Sequence, residues 1–547
     1  MSQPAPAPSG GALGGVTLGG RAAWIALILI TLTQAMSMVD RQILAILAPR
    51  IKADLHVGDA EMGLLYGTVF ALFYALFSLP LGRLADGWVR TRLLALSITA
   101  WSLMTMLAGA ANSFSMLAVS RLGVGIGEAS AQPAGFSIIS DTFPKARRGL
   151  AASMIAAGVA LGLGSALWIG GAVADGWDGA FAKGAPLGLH GWQAAFIVAA
   201  LPGFLLAFLL SRLPEPVRGA ADGIVQAPDP HPFRASWEVL SAILPGFAWI
   251  GLARRKAAPG QWAANLFGLA AIIIGAVLLT AWTQSLRPPG PPALRIGALA
   301  VSGSALQWMI TGLGLYVLLC WSQMLKLTDP PSHALILRSP GLGAALAISA
   351  LQSVINYGVM AWTSVYIVTR FKQSLADVGL TFGFLVAFMG IVGPLVAGPV
   401  ADWLHQRVRG GRLYVTLASL VASPLLALVV YRADSLAGFY LLFIPFSLAT
   451  TLWLPPVYAT FMDLVLPRMR GSVISCYILT MTIIGLGLGP FAVGLMSDIS
   501  HHDIAGSILN LYWLSPFIAL LVVFLIVKLP KEEASLIDRA RAAGEEI

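Results

Sequence analysis

Apolar runs of about twenty residues recur along this chain, split by short polar connections, and that length matches the hydrocarbon thickness of a bilayer. Six of them fall at 22–48, 60–80, 93–111, 114–140, 150–173 and 192–213. A second six lie at 342–369, 378–401, 411–431, 437–463, 472–495 and 505–528. Two more, at 262–283 and 297–325, stand between the sets, and 234–253 is a candidate interfacial helix. The pattern predicts an all-α integral membrane protein of about fourteen transmembrane helices. It divides into a flexible tail (1–20), a six-helix half (21–215), a central linker with the extra pair (216–340), a second six-helix half (341–528) and a C-terminal tail (529–547).

Composition agrees. Hydrophobic residues make up 57% of the 547 and charged residues 11%, against about 25% charged in soluble domains. The formal charge of +9 does not imply a nucleic-acid partner, because the basic residues lie in short loops beside apolar segments. Alternate loops carry them: Arg83, Arg90 and Arg92; Lys145, Arg147 and Arg148; Arg212 and Arg218; Arg407, Arg409 and Arg412; Arg468 and Arg470. The intervening connections are acidic or near neutral. The positive-inside rule then places the basic loops and both termini in the cytoplasm, in a bacterial inner membrane. Residues 1–20 lack the charged start and apolar core of a cleavable signal peptide. Cys320 and Cys476 sit in separate apolar segments, so no disulfide framework is expected.

The two sets of six are copies. GRLADGWVRTR (82–92) and GPVADWLHQRVRGGR (398–412) both follow an apolar helix with Gly, then Ala-Asp, then arginines. DTFPKARRG (141–149) and DLVLPRMRG (463–471) share Asp, a proline, Arg and Gly in the same order. Gly398 lies 316 residues after Gly82, and Asp463 lies 322 after Asp141. Two loops repeating in one order, at nearly one offset and on one side of the membrane, predict parallel halves with a substrate site between them. The extra pair returns the chain to the same side. It holds no charged side chain within its helices, so a peripheral hairpin is expected.

Charges inside the apolar segments carry the candidate chemistry. An intramembrane charge costs roughly 2.5 to 3.5 kcal/mol at mid-bilayer, and such residues mark pathways or buried pairs. Arg121 and Glu128 are seven residues apart, so on a helix they share a face about 10 Å apart. Counting the rise from the outer end puts Arg121 about 12 Å deep, Asp40 about 14 Å and Glu128 about 22 Å. An Asp40–Arg121 ion pair is therefore expected, while Arg41, about 100° round its helix, should serve another partner. Burial favours the neutral form of a carboxylate, so Glu128 is the expected proton carrier. Arginine stays charged and suits a carboxylate or an anionic headgroup. A buried network that only locks helices together is the alternative.

These residues carry a family resemblance. GRLADGWVRTR resembles the loop between helices 2 and 3 that marks the major facilitator superfamily, and Arg121 with its glycine-rich run resembles a second signature of that superfamily. VDRQILAILAPRIKADL (39–55) and SRLGVGIGEASAQPAGFSIISDTFPKARRG (120–149) are similar to the Spinster-like group. The resemblance covers the twelve core helices and is sharper in the first half. It implies alternating access, lysophospholipid or sphingoid cargo, and coupling to protons. Two features depart from it. GVALGLGSALWIGG (158–171) lacks the proline of the antiporter signature, and fourteen helices are unusual for the group.

In the cytoplasmic loops Gly82, Asp86, Arg90, Asp141 and Arg148, repeated as Asp402, Asp463 and Arg470, are expected to latch that face shut and break as the halves rock. Asn356, Tyr357, Trp362, Tyr366 and Trp453 are candidates for cavity lining, and Pro455 and Pro456 predict a kink. No metal, cofactor or enzyme signature is found, and His501–His502 reads as a solvated loop pair. The expected protein is a monomeric secondary transporter of a small amphipathic or organic-anion solute, with protons and membrane lipids as further partners. A membrane sensor or lipid-modifying protein on the same fold, or a sugar-acid or drug carrier, remains open.

Overall fold

The computed structural model describes residues 18–182, 184–219, 221, 229–287, 292–296, 299–408 and 410–545. The first half comprises α1 (Arg21–Leu55), α2 (Asp59–Gly87), α3 (Arg90–Gly109), α4 (Phe114–Glu128), α5 (Ala131–Thr142), α6 (Lys145–Ala180) and α7 (Gly191–Ser211). The centre holds α8 (Pro232–Ile243), α9 (Phe247–Arg254), α10 (Pro259–Ser285), a hairpin of β1 (Leu294–Ile296) and β2 (Leu299–Val301), and α11 (Gly303–Thr328). The second half comprises α12 (Pro340–Phe371), α13 (Leu375–Arg407), α14 (Gly411–Val430), α15 (Leu436–Asp463), α16 (Pro467–Ile499) and α17 (Ile504–Ala534), followed by α18 (Leu536–Ala542). Thirteen of these helices are long and apolar enough to cross a membrane.

The fourteenth expected span, 114–140, is broken into α4 and α5. Pro133 explains the break: it has no N–H to donate to the carbonyl of Ala129, and its ring crowds that carbonyl. Glu128 therefore stands at the end of α4, not inside a continuous helix. The interfacial segment is also bent, with α8 and α9 meeting at 103°. In α15 the helix is interrupted at Leu452–Trp453, next to Pro455 and Pro456.

One face carries the arginine-rich loops and the described ends of the chain. The halves separate there and meet at the opposite face. A Cβ on Gly164 of α6 would lie 2.2 Å from the Gly383 carbonyl of α13, so these helices touch backbone to backbone. A Cβ on Gly494 of α16 would lie equally close to the Asp59 carbonyl of α2. Small residues permit such approaches.

Carboxylates finish this closure. Asp498 at the end of α16 accepts from the first N–H groups of α2, at Asp59 (2.9 Å) and Ala60 (3.0 Å). Asp175 at the end of α6 accepts from Ala376 N at the start of α13 (2.8 Å). Each half thus caps a helix of the other, where free N–H groups and the helix dipole favour a negative charge. The two caps are related by the internal repeat: Leu375 follows Asp59 by 316 positions, the spacing of the loop motifs. Arg50 pairs with Asp175 and Asp178, and Lys52 with Asp59, on the same face.

The expectation of a peripheral hairpin holds for α10 but not for α11. Only Asn265 and Thr283 of α10 are buried. Along α11, Gln307, Tyr316, Val317 and Cys320 are all buried. Gln307 Nε2 donates to Gly487 O of α16 (3.1 Å), and Thr68 of α2 donates to Gln307 Oε1 (2.5 Å). Arg287, just beyond α10, pairs with Glu61 of α2 and with Asp498 of α16 (2.8 Å). The insert therefore bridges both halves. A count of charges within its helices missed this because the bridging charge lies one turn outside them.

Candidate functional site

A cavity of about 1220 Å³ lies between the halves and runs to the arginine-rich face, where Gly82, Arg83, Asp86, Phe136 and Gly471 line it. Deeper in, its wall is Arg41 and Gln42 with Met38, Tyr66, Phe70, Tyr74, Tyr357, Met360, Tyr458 and Tyr477. Apolar and aromatic walls around a few polar groups are the usual form of a small-molecule site.

Arg41 is the charge in the deeper part of this cavity, away from Arg83 and Asp86 at its mouth. Its Nε lies 2.6 Å from Glu128 Oε2, and its guanidinium stands 4.6 Å from the ring centres of both Phe70 and Tyr74. Cation–π contacts of this kind hold an arginine in place where water is scarce. Ser37 Oγ donates to the same Glu128 oxygen (2.7 Å). The side chain of Arg41 is 22% exposed and that of Glu128 wholly covered, so the cation faces the cavity with the carboxylate behind it.

The expected Asp40–Arg121 ion pair does not form. Arg121 Nη1 donates instead to the backbone carbonyl of Asp40 (2.7 Å). Both Asp40 carboxylate oxygens, and Arg121 Nε and Nη2, are buried without hydrogen-bond partners. The two residues do meet, but through the Asp40 backbone and not through its carboxylate. Asp40, Arg41, Arg121 and Glu128 still form one cluster with two charges of each sign, which offsets the cost of burying any one.

Of the five residues expected to line the cavity, only Tyr357 does so. Trp362 donates to Pro490 O (2.9 Å), Tyr366 donates to Tyr431 O (3.1 Å) within an aromatic cluster, and Asn356 accepts from Gln352 (3.2 Å). Trp453 is buried and its carbonyl accepts from Thr416 (3.3 Å). Trp362, Tyr366 and Trp453 join helices of the second half, while the Asn356 bond stays within α12. The aromatic wall from α2 was missed, although Tyr66, Phe70 and Tyr74 are spaced by four, a single helical stripe.

The latch residues also need correction. Arg90, fully buried, pairs with Asp141 and with Glu215 (2.7 Å), and donates to Pro216 O (2.8 Å). Arg148 Nη2 donates to Ser140 O (2.7 Å). In the second half Arg412 joins Asp402 (3.0 Å) to Asp463 (2.8 Å), while Arg470 is exposed. The Arg90 and Arg412 ion pairs each lie within one half, so they brace that half and do not lock the two together. Asp86 and Gly82 line the open cavity. Arg412 follows Arg90 by 322 positions, as Asp463 follows Asp141, so the Arg90–Asp141 pair is itself repeated.

On the same face Arg468 pairs with Asp329 (2.8 Å) and with Glu545 of the C-terminal tail. The Arg468 guanidinium holds the Asp329 carboxyl down at about 2.

Residues 30–340 match the model of the Major Facilitator Superfamily. The chain belongs to this superfamily. Across 90% of its length it is 24% identical to an MFS-type efflux pump of Mycolicibacterium smegmatis, covering 88% of that protein. Protein spinster of Drosophila melanogaster is 28% identical over 37% of this chain, which spans 32% of that relative. The fold is similar to a bacterial homologue of the human lysosomal transporter Spinster, solved inward-facing and unoccupied. The TM-score is 0.62 at 20% identity, covering 95% of this chain and 97% of that one. The molecule is a multi-pass membrane transporter of the major facilitator type, related to the Spinster-like proteins.

Proposed function

We propose that this transporter moves an amphipathic organic anion by alternating access, driven by protons. The observation that carries the reading is Arg41: a cation on the deeper, largely aromatic and methionine-bearing wall of the cavity, held from behind by a covered carboxylate. An anionic headgroup can take the place of Glu128 on Arg41 in a bidentate pair. Glu128, released from its partner in a low dielectric, then binds a proton. Substrate and proton are linked because both compete over one ion pair. The apolar part of the cargo rests on Phe70, Tyr74, Tyr357 and Met360.

The positive-inside rule makes the arginine-rich face cytoplasmic, so the cavity opens inward and both termini lie inside, in a bacterial plasma membrane. The capped helix starts at the opposite face form the closed outer gate. The test is solute flux in proteoliposomes of the purified protein with and without an imposed pH gradient. Gradient-stimulated movement of alkyl phosphates or lysophospholipids supports the reading. Movement of polar sugar acids alone replaces the amphipathic cargo, and flux indifferent to the gradient removes the proton.

A further inference from the structure

The insert that distinguishes this chain from a twelve-helix carrier contributes to the cavity itself. Trp321, Met324, Leu325 and Thr328 of α11 line it, and the spacing i, i+3, i+4, i+7 makes them one helical face. Towards the arginine-rich face α2 and α16 diverge, and α11 fills the gap. Val317 packs with Leu76 of α2, and Trp321 packs beside Ala75 and Leu79 of α2 and Leu479 and Ile483 of α16. A Cβ on Gly314 would lie 2.7 Å from the Ile483 side chain. Ile243 and Val239 of α8 close the wall nearer the membrane surface.

Where two helices part within a bilayer, lipid fills the opening unless protein does. Here protein does, on this side of the molecule. The wall it supplies is apolar apart from Thr328, whereas the cavity's deeper end holds Arg41.

We propose that α11 is part of the substrate site, and that Trp321 contacts the apolar portion of the cargo while sealing the α2–α16 side against lipid. Trp321 is then a residue that sets the size and shape of the tail the carrier accepts. The inference rests on the amphipathic-anion reading above and adds the insert to it. A purely peripheral insert would instead turn the 321–328 face towards acyl chains.

The test uses the full chain in lipid nanodiscs with Cys320→Ser and Cys476→Ser, and single cysteines introduced as Trp321→Cys, Tyr357→Cys and Phe267→Cys. Phe267, on α10, is 76% exposed and faces the bilayer. A charged methanethiosulfonate reports water access, and dodecyl phosphate serves as the occupant. The expected result is labelling at 321 and 357 several-fold faster than at 267, slowed by dodecyl phosphate at both cavity positions. Labelling at 321 no faster than at 267 overturns the inference, because α11 then faces lipid. Protection at 357 without protection at 321 also overturns it, leaving the central site intact. Protection at neither position overturns the amphipathic-anion reading on which it depends. Should Trp321→Cys disturb folding, Met324→Cys on the same face makes the same measurement.

Discussion

Arg41 and Glu128 form the ion pair at the heart of the cavity, with Nε and Oε2 2.6 Å apart. They come from α1 and from the broken end of α4, 87 positions apart in the chain. The pair puts a cation in contact with the cavity and its counter-charge out of contact. That one-sided arrangement allows a substrate anion to displace the carboxylate.

Glu128→Gln keeps a hydrogen-bond acceptor for Ser37 and removes the proton site. The variant is expected to fold and to bind alkyl phosphates at least as well as the native protein, since Arg41 loses its competitor. Flux driven by a pH gradient should be lost, as measured in proteoliposomes. Native gradient-driven flux in the variant would remove Glu128 from proton coupling.

Arg121 bonds to the Asp40 carbonyl, not to its carboxylate, so the two residues should respond unequally to substitution. Arg121→Ala takes the donor from the Asp40 carbonyl and leaves the buried cluster with one cation against two carboxylates, and should cost about 3–5 kcal/mol. Asp40→Asn preserves the carbonyl and removes a carboxylate with no hydrogen-bond partner, so thermal stability should change little or rise. Equal losses in thermal unfolding would indicate a side-chain pair after all.

The repeated braces differ in burial. Arg90 is fully covered, while Arg412 and its partners Asp402 and Asp463 are partly exposed. Arg90→Ala should destabilise by about 3–5 kcal/mol through the uncompensated Asp141 and Glu215. Arg412→Ala should cost about 0–1 kcal/mol. Melting temperatures in detergent check the order.

The outer closure depends on two helix caps and on Arg287. Asp175→Ala removes one cap, worth about 0.5–2 kcal/mol. Asp498→Ala removes the other together with one of the two carboxylates that hold Arg287, so its effect should be larger. Both shift the population towards an outward-open form, read as faster labelling of Leu64→Cys by a charged thiol reagent. Slower or unchanged labelling would count against the caps as a gate.

The Asp329–Arg468–Glu545 cluster ties the C-terminal tail to the start of α16 and to the end of α11. Asp329 has a depressed value, so its contribution is complete above its ordinary value of 3.8 and fades as pH falls through about 2. Tail protection from proteolysis should therefore stay constant across the neutral and mildly acidic range. Arg468→Gln should expose the tail at any pH. Loss of protection near neutrality in the native protein would contradict the assignment.

Thirteen of the spans, the duplicated halves and the common level of Asp40 and Arg121 were legible in the chain. They depend on length, on rise per residue and on where charge is tolerated along a segment, all of which are local. The proline that splits α4 from α5 was equally visible, although the break was not anticipated. Partners were not legible. Whether Glu128 meets Arg41 or Arg121, and whether Trp362 faces a cavity or Pro490, depends on how each helix is rotated and tilted against its neighbours. The insert shows the same limit. Two uncharged helices look interchangeable in sequence, yet one lies on the outside and the other fills the α2–α16 gap. Only packing decides that, because an apolar surface is equally at home against lipid and against another helix.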